Sequence, residues 1–520
     1  MPDPRQDPTY IDLFCGCGGA SVGFRKAGFR CLAAFDWDEK AIDCYNANFS
    51  TGSARPIGIR EDLSTIQTHR DVERFLRKHG ILDPHVDAIV GGPPCQSFSS
   101  VGQTKVRALI EEDATVRDFW EATHQQRTML FEVYALFVEV LAPRWLLFEN
   151  VPTIRSHPTY PLIHHRFNNL RHPDGSELRY TLFPRNYWAS DYGVPQRRRR
   201  FVMVGHRDDV GIPEWCPPME VAGPTVEQAL SDLPRITHGS RAGRIAYIGP
   251  PVTDYQQRMR AEVSAGDSAF ITAHVCRSHN PDDIALFNRM AVGAKFSDPE
   301  VQGAIREINP NHKLSKYSTE KFRDKLHKLI PTEPAWTVTA HLQKDCYKFI
   351  HYAQPRTISV REAARLQSFP DHFRFPDGLG AAFRLIGNAI PPLLAEAFAR
   401  SFRASDTMMG TAEGRARAVL HNELWGRIAP TLLKSNGRAR KSRIPSRTVI
   451  AAGYLANEFG MGWTAASSFI GEKADTLKTA FRRTIPGGVL GDLWNEILEV
   501  WEDTPRMLEL EMEVGPMAAD

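Results

Sequence analysis

The sequence predicts an α/β fold: a doubly wound parallel sheet, an irregular insertion and a mostly helical C-terminal extension. Three observations point there. Short apolar runs alternate with helix-spaced stretches from residue 10 to about 206, the rhythm of βαβ units. A glycine-rich turn separates the first strand from the first helix, where such folds bring backbone close to a ligand. The rhythm then disappears from 206 to 355 and amphipathic helices return at 359.

In order, "YIDLF" reads as a strand, "CGCGGASVGF" as turn and helix, and "RCLAAF" as a second strand. A helix-spaced stretch runs from Asp38 to Asn48. "VDAIV" (86–90) is the next buried strand. Pro94 excludes the α region for Pro93, so that strand runs into an extended turn with Cys95 at its tip. A small buried cysteine and a functional thiol both fit there. "MLFEVYALFVEVL" (129–141) is helical, Pro143 ends it, and "RWLLF" supplies a strand leading to Glu149 and Asn150. "RRRRFVMVGHR" (197–207) reads as a strand whose alternation puts Arg198 and Arg200 on one face. "SVREAARLQSF" (359–369) and "IPPLLAEAFARSF" (390–402) read as helices.

Composition sets outer bounds. A chain of 520 residues, 42% hydrophobic and 24% charged, fits two to four soluble domains. No apolar run is long enough to span a membrane, and the N-terminus lacks a secretory pattern. Eight cysteines without paired spacing suit a reducing cytosolic compartment. Cys15-Gly16-Cys17 is the only close pair and has no second pair or histidines at ligand spacing, so no metal is expected. A net charge of +3 means that any nucleic-acid contact comes from local patches.

The chemistry concentrates at the predicted strand ends. "DLFCGCGG" follows a strand and opens a helix, and Asp36 ends the next strand at the offset where a carboxylate accepts ribose hydroxyls. Trp37 offers a flat face for a purine, and Asp62 ends a third unit. The glycines lack the spacing that cradles a pyrophosphate, so a nucleoside cofactor such as S-adenosylmethionine fits better. Cys95 and Glu149 fall at strand ends facing one crevice. A thiol there needs activation, and a carboxyl group on the other side can protonate a substrate ring nitrogen. Taken alone, Glu149 also suits a helix cap or buried ion pair, and the arginines suit a solvated edge strand.

Together these pieces resemble one family, the bacterial-type, S-adenosylmethionine-dependent cytosine-C5 DNA methyltransferases. The matching segments keep the family's order: "DLFCGCGG", "FDWD", "EDL", "GGPPCQSFS", "ENV", "YGVPQRRRRFVMVG", "SVREAARLQSFPD" and "LIGNAIPP". They cover 10–206 and 336–400, interrupted where the family places its variable target-recognition domain. The resemblance implies a Rossmann-like methyltransferase sheet and a cytosine flipped out of duplex DNA. It makes Cys95 the nucleophile on C6 and Glu149 the contact to N3 and the exocyclic amine. Arg198 and Arg200 would hold the cytosine O2 and nearby backbone. Phe14, Cys15, Gly16, Cys17, Gly18 and Gly19 would wall the cofactor, Asp36 take the ribose, Trp37 stack and Asp62 reach the adenine. Leu63, Pro94, Asn388 and Ala389 complete the expected cofactor contacts.

The implied division is 1–205 for cofactor binding and catalysis, 206–355 for target recognition, 356–403 for the return to the catalytic domain and 404–520 for the extension. Two features depart from compact members: a longer segment between Ser99 and Arg127, in the loop expected to close over DNA, and the extension itself. Within the latter, residues 449–484 have helix–turn–helix spacing, or form a helical appendage that packs on the core or self-associates. The tRNA-methylating branch shares the motifs, but about 130 to 150 residues between the two blocks suit reading base edges in a DNA groove. A catalytically dead DNA-binding member would not need every chemical position intact. The expectation is a monomer acting on double-stranded DNA in the bacterial cytoplasm, nucleoid-associated and without a membrane. The resemblance admits a cognate restriction endonuclease for the same site without requiring one.

Overall fold

The computed structural model describes residues 7–51, 55–81, 85–94, 130–157, 160–208, 223–261, 270–320, 322–323 and 325–409. Cys95, the long segment between Ser99 and Arg127, and the extension beyond 409 with its helix–turn–helix pattern lie outside them. The chain divides into two compact units. One comprises 1–179, 187–204 and 220–400; the other comprises 180–186, 205–219 and 401–520.

The described chain opens β1 (Thr9–Leu13), α1 (Gly19–Lys26), β2 (Arg30–Asp36), α2 (Glu39–Phe49), β3 (Gly58–Arg60), α3 (His69–Lys78) and β4 (Ala88–Gly91). It continues α4 (Leu130–Leu141), β5 (Trp145–Asn150), α5 (Tyr160–Asn168), β6 (Tyr180–Trp188), β7 (Gln196–Arg197) and β8 (Arg199–Arg207). The main sheet runs β3-β2-β1-β4-β5-β8-β6, and the pairs β2–β3, β1–β2, β1–β4 and β4–β5 are parallel. This is the doubly wound sheet expected from the βα rhythm. β1, β4 and β5 are buried along their whole length, which explains why their sequences read as continuous apolar runs. Local chemistry sets the helix starts. Asp38 accepts a hydrogen bond from Ala41 N at the head of α2, and Thr68 and Asp71 form a capping box on α3.

Two expectations need adjustment. The run 197–207 is not one strand: β7 pairs with β11 (Ala335–Trp336) in a separate two-stranded sheet, while β8 joins the main sheet. Arg198 lies between them, so strand alternation does not put it on one face with Arg200. β6 was not legible, because Pro184, Arg185 and Asn186 interrupt its apolar pattern.

From 223 to 350 the elements are short: α6 (Val226–Leu230), β9 (Arg244–Ala246), α7 (Asp254–Arg260), β10 (Phe270–Thr272), α8 (Pro281–Arg289), α9 (Pro299–Ile308) and β11. Part of this stretch has its own core, with Leu286, Phe287, Phe296, Ile305 and Leu326 at its centre. Three helices follow: α10 (Val360–Leu366), α11 (Leu379–Asn388) and α12 (Pro392–Met409), the last continuing past the expected end at 402.

α10 fastens the insertion to the sheet side of the chain. Its two arginines, Arg361 and Arg365, and Arg356 just before it are buried, and each is paired. Arg356 forks onto Glu362 at 2.8 and 2.6 Å. Arg365 reaches Asp371 at 2.6 Å and Asp232 at 3.0 Å. Arg361 donates to the carbonyls of Thr272, Pro370 and Phe373. Fully paired buried charges tolerate desolvation only in such geometry. No described helix is long and apolar enough to cross a membrane.

Candidate active site

The strand order reverses between β1 and β4, and in open α/β sheets ligands bind outside the carboxyl ends at that point. The register aligns the ends closely. Ile59, Phe35, Leu13, Gly91 and Phe148 pair across five neighbouring strands. One step further along each strand stand Arg60, Asp36, Phe14, Gly92 and Glu149. The sequence-predicted residues of β1, β2 and β5 therefore share one row along one edge.

The glycine turn is built by backbone conformation. Phe14 takes φ 60°, uncommon for a bulky residue and a mark of local strain. Gly16 and Gly18 follow at φ 54° and 92°. A Cβ at Gly16 would meet nothing within 4 Å, so the turn leaves open space there. Gly18 and Gly19 are glycine for the opposite reason. A Cβ on Gly18 would lie 2.4 Å from Phe49, and one on Gly19 2.3 Å from the Ile390 carbonyl oxygen and 2.9 Å from Ala389 Cβ. The segment from exposed Asn388, the last residue of α11, through buried Ala389 is thereby seated against the turn. Cys15 and Cys17 are buried, and burial pushes the Cys15 thiol up.

Asp36 closes the turn. Its carboxylate accepts from Gly16 N and Asp38 N, each at 2.9 Å. Burial raises its pKa and these two donors pull it back, leaving it above the ordinary value. Beside it Trp37 is 59% exposed, a bare aromatic face at the strand end. Asp62 is exposed, caps the short turn Leu63–Thr65 through Ser64 N at 3.0 Å, and stands beside buried Leu63. Glu61 N bonds to Asp36 O at 3.0 Å, tying that turn to the end of β2. An open backbone cradle, a carboxylate and a flat exposed ring suit a nucleoside cofactor such as S-adenosylmethionine. Among the described residues no group of histidine, cysteine or carboxylate side chains is arranged to hold a metal ion.

Across the sheet edge, Glu149 is 8% exposed and its Oε1 lies 2.9 Å from Arg200 Nε. Burial pushes the Glu149 carboxyl up, Arg200 and then Arg198 pull it down, and the net shift is upward. A carboxyl poised this way can carry a proton to a substrate nitrogen and take it back. A Cβ on Gly92 would stand 3.0 Å from Glu149 Oε2, so glycine there keeps the carboxyl's approach open. Pro94 is half-buried and is the last described residue of this turn.

Arg198 is used differently. Fully buried, it donates to Val338 O at 2.6 Å and to Gly387 O and Ala389 O at 3.0 Å each. It clamps two further segments of chain, one at Val338 and one at Gly387–Ala389. Two residues that the motif reading passed over serve the same frame. Asn150 Nδ2 donates to Pro93 O at 3.1 Å, holding the proline turn to the end of β5. Gln196 Nε2 donates to Gln367 Oε1 at 2.6 Å, and its own Oε1 accepts from Val338 N at 2.8 Å. Both flank residues singled out in "ENV" and "PQRRRR", but a polar side chain beside a motif gives no sign of which backbone it will meet.

The profile of the C-5 cytosine-specific DNA methylase family matches residues 9–404. The type II methyltransferase M.AgeI of Thalassovita gelatinovora is 31% identical over 467 residues, covering 76% of this chain and 99% of that protein. M.DdeI of Desulfomicrobium norvegicum, also a type II methyltransferase, is 30% identical over 404 residues, covering 75% and 87%. Among solved structures, an E. coli prophage protein assigned as a DNA modification methyltransferase superposes with a TM-score of 0.57. It has 25% identity and covers 76% of this chain and 98% of that one.

Proposed function

The chain belongs to the C-5 cytosine-specific DNA methylase family, and from that premise we propose how it methylates cytosine in DNA: one cytosine of a specific double-stranded sequence is flipped out and takes its methyl group on C5 through a covalent bond between Cys95 and C6. The observation that carries this reading is the buried Glu149–Arg200 pair on the row shared with the glycine turn, opposite Gly92, three residues before Cys95.

A cytosine inside a duplex cannot reach such an edge, so the base must leave the stack. Cys95 bonds to C6 as a thiolate. Glu149 gives a proton to N3 and accepts from the exocyclic amine, so the electron pair displaced from the C5–C6 bond collects at C5. Arg200 holds Glu149 in place and reaches the cytosine O2, while Arg198 keeps the backbone around Ala389 fixed. Phe14, Gly16 to Gly19, Asp36, Trp37, Asp62 and Asn388 would hold S-adenosylmethionine, which would supply an electrophilic methyl group. Loss of the C5 proton then expels Cys95 and restores the ring.

Residues 1–205 and 356–403 make up this catalytic body, and 206–355 selects the target. The type II naming of M.AgeI and M.DdeI supports a partner restriction endonuclease for the same site.

Fluorine at C5 cannot leave as the proton does, so DNA carrying 5-fluorocytosine should trap the enzyme covalently in the presence of cofactor. Cys95→Ser should form no adduct while still binding DNA. An adduct of undiminished yield in Cys95→Ser overturns the assignment, and methyl groups found on tRNA but not on duplex DNA overturn the substrate.

A further inference from the structure

We infer that Arg384 is a positioning residue for the cofactor: its ion pair with Asp38 holds the two distant halves of the cofactor pocket in register. This rests on the S-adenosylmethionine reading above and adds to it a residue that acts through another.

The two halves come from opposite ends of the described chain. One is the glycine turn, with Asp36 and Trp37 at the end of β2; the other is the end of α11, with Asn388. Arg384 and Asn388 are four residues apart on α11, so both stand on one face of that helix. Arg384 Nη1 donates to Asp38 Oδ2 across a separation of 346 residues.

Asp38 stands at a junction in the first half. Its Oδ1 accepts from Ala41 N at 3.2 Å, capping α2, and its backbone N–H donates to Asp36 Oδ1 at 2.9 Å. Asp36 Oδ2 in turn accepts from Gly16 N at 2.9 Å. The exposed ring of Trp37 lies between Asp36 and Asp38 in the chain, so its backbone is held on both sides. A continuous series of hydrogen bonds therefore runs from α11 through Asp38 and Asp36 to the glycine turn.

The pair is set apart from ordinary surface ion pairs. The Arg384 and Asp38 side chains are 28% and 16% exposed, against 60% and 67% for the neighbouring Arg60 and Glu39. Water and salt screen the first pair less. Burial alone would raise the Asp38 carboxyl; the bond and charge of Arg384, with backbone donors, outweigh it, and the net shift is downward.

Other ties hold the same elements together. Asn48, near the far end of α2, donates through Nδ2 to Arg374 O at 2.9 Å and accepts from Arg374 N at 2.8 Å. The seat of Ile390 on Gly19 is main-chain packing. Removing Arg384 thus leaves α2 joined to the final helices but free to shift at the end that carries Trp37. Cofactor binding must then bring Trp37 and Asn388 into register itself, and that ordering lowers affinity.

The test titrates S-adenosylmethionine and S-adenosylhomocysteine into the full-length enzyme by calorimetry. The proteins are the parent, Arg384→Gln, Arg384→Lys, Asp38→Asn and the double variant Arg384→Gln/Asp38→Asn. Asparagine keeps the cap on α2 and loses the charge, and Arg384→Lys keeps the charge. The expected result is a Kd raised about 10-fold in Arg384→Gln and in Asp38→Asn, partly recovered in Arg384→Lys. The double variant should be no weaker than either single one, because both remove the same bond. The KM for the cofactor should rise by more than kcat falls, with the KM for DNA unchanged. Parent-like Kd values in the single variants overturn the role, and so do losses that add in the double variant. A lower unfolding stability with an unchanged Kd makes the pair structural only and also overturns it. A parent enzyme that binds neither compound instead overturns the cofactor reading itself.

Discussion

In the proposed mechanism Glu149 has the most demanding role of any single residue, and its surroundings suit the task. Burial favours the protonated form and Arg200 favours the ionised one, so the group sits above its ordinary pKa yet remains able to give up its proton. If the protonated form is the active one, turnover declines as pH rises through that pKa. Arg200→Gln removes the main charge holding the pKa down, so this descending limb should move to higher pH. Glu149→Gln should lose the limb altogether and drop kcat by roughly 10² or more. A limb that moves to lower pH in Arg200→Gln contradicts the assignment.

A second carboxyl, Asp12 in β1, was quoted in the motif but given no role by sequence. It is buried, accepts from Ser21 Oγ at 2.6 Å, and burial raises its pKa from 3.8 to about 7. The folded protein thus holds a proton there that the unfolded chain releases between these values. Stability from this group is present below 3.8 and is lost as pH rises to about 7. Asp12→Asn carries no such proton. Its stability relative to the parent should therefore rise between pH 4 and 7 and level off above, as read by denaturant unfolding at several pH values. A pH-independent difference would contradict the linkage.

Elements differ in how much of their role a sequence exposes. β1, β2, β4 and β5 were legible because continuous apolar runs are what buried parallel strands require. β6 was not, because Pro184, Arg185 and Asn186 break its pattern, and the division at Arg198 was hidden because β7 is held by a distant partner, β11. The glycine turn reads in the sequence as a candidate ligand cradle, but part of the glycine content there serves packing. A Cβ on Gly23 would fall 2.4 Å from Glu396 N and 2.5 Å from Pro392 O, backbone atoms of α12 that cannot rotate away. Gly23→Ala should separate α1 from α12, cost about 1–3 kcal/mol and weaken cofactor binding through the displaced turn. Calorimetric unfolding and cofactor titration check this, and parent-like values in both would show that the two helices adjust freely.

At the scale of the molecule, the candidate site was legible wherever its residues stand at strand ends, since topology alone brings such ends together. It was illegible where the work is done by side chain to distant backbone. Arg198 binding Val338, Gly387 and Ala389 and Asn150 binding Pro93 join segments far apart in sequence, and no local pattern encodes those distances. The insertion was legible only as a loss of rhythm, because short elements anchored by Arg361 and Arg365 owe their positions to α10 rather than to their own periodicity. What the assembled parts should do is put one methyl group on C5 of cytosine at a defined DNA sequence. Bisulfite sequencing of DNA from cells expressing the protein tests this most directly. The account predicts protected cytosines at a single recognition sequence, absent when Cys95→Ser or Glu149→Gln is expressed instead; fully converted DNA from cells making the folded parent protein would contradict it.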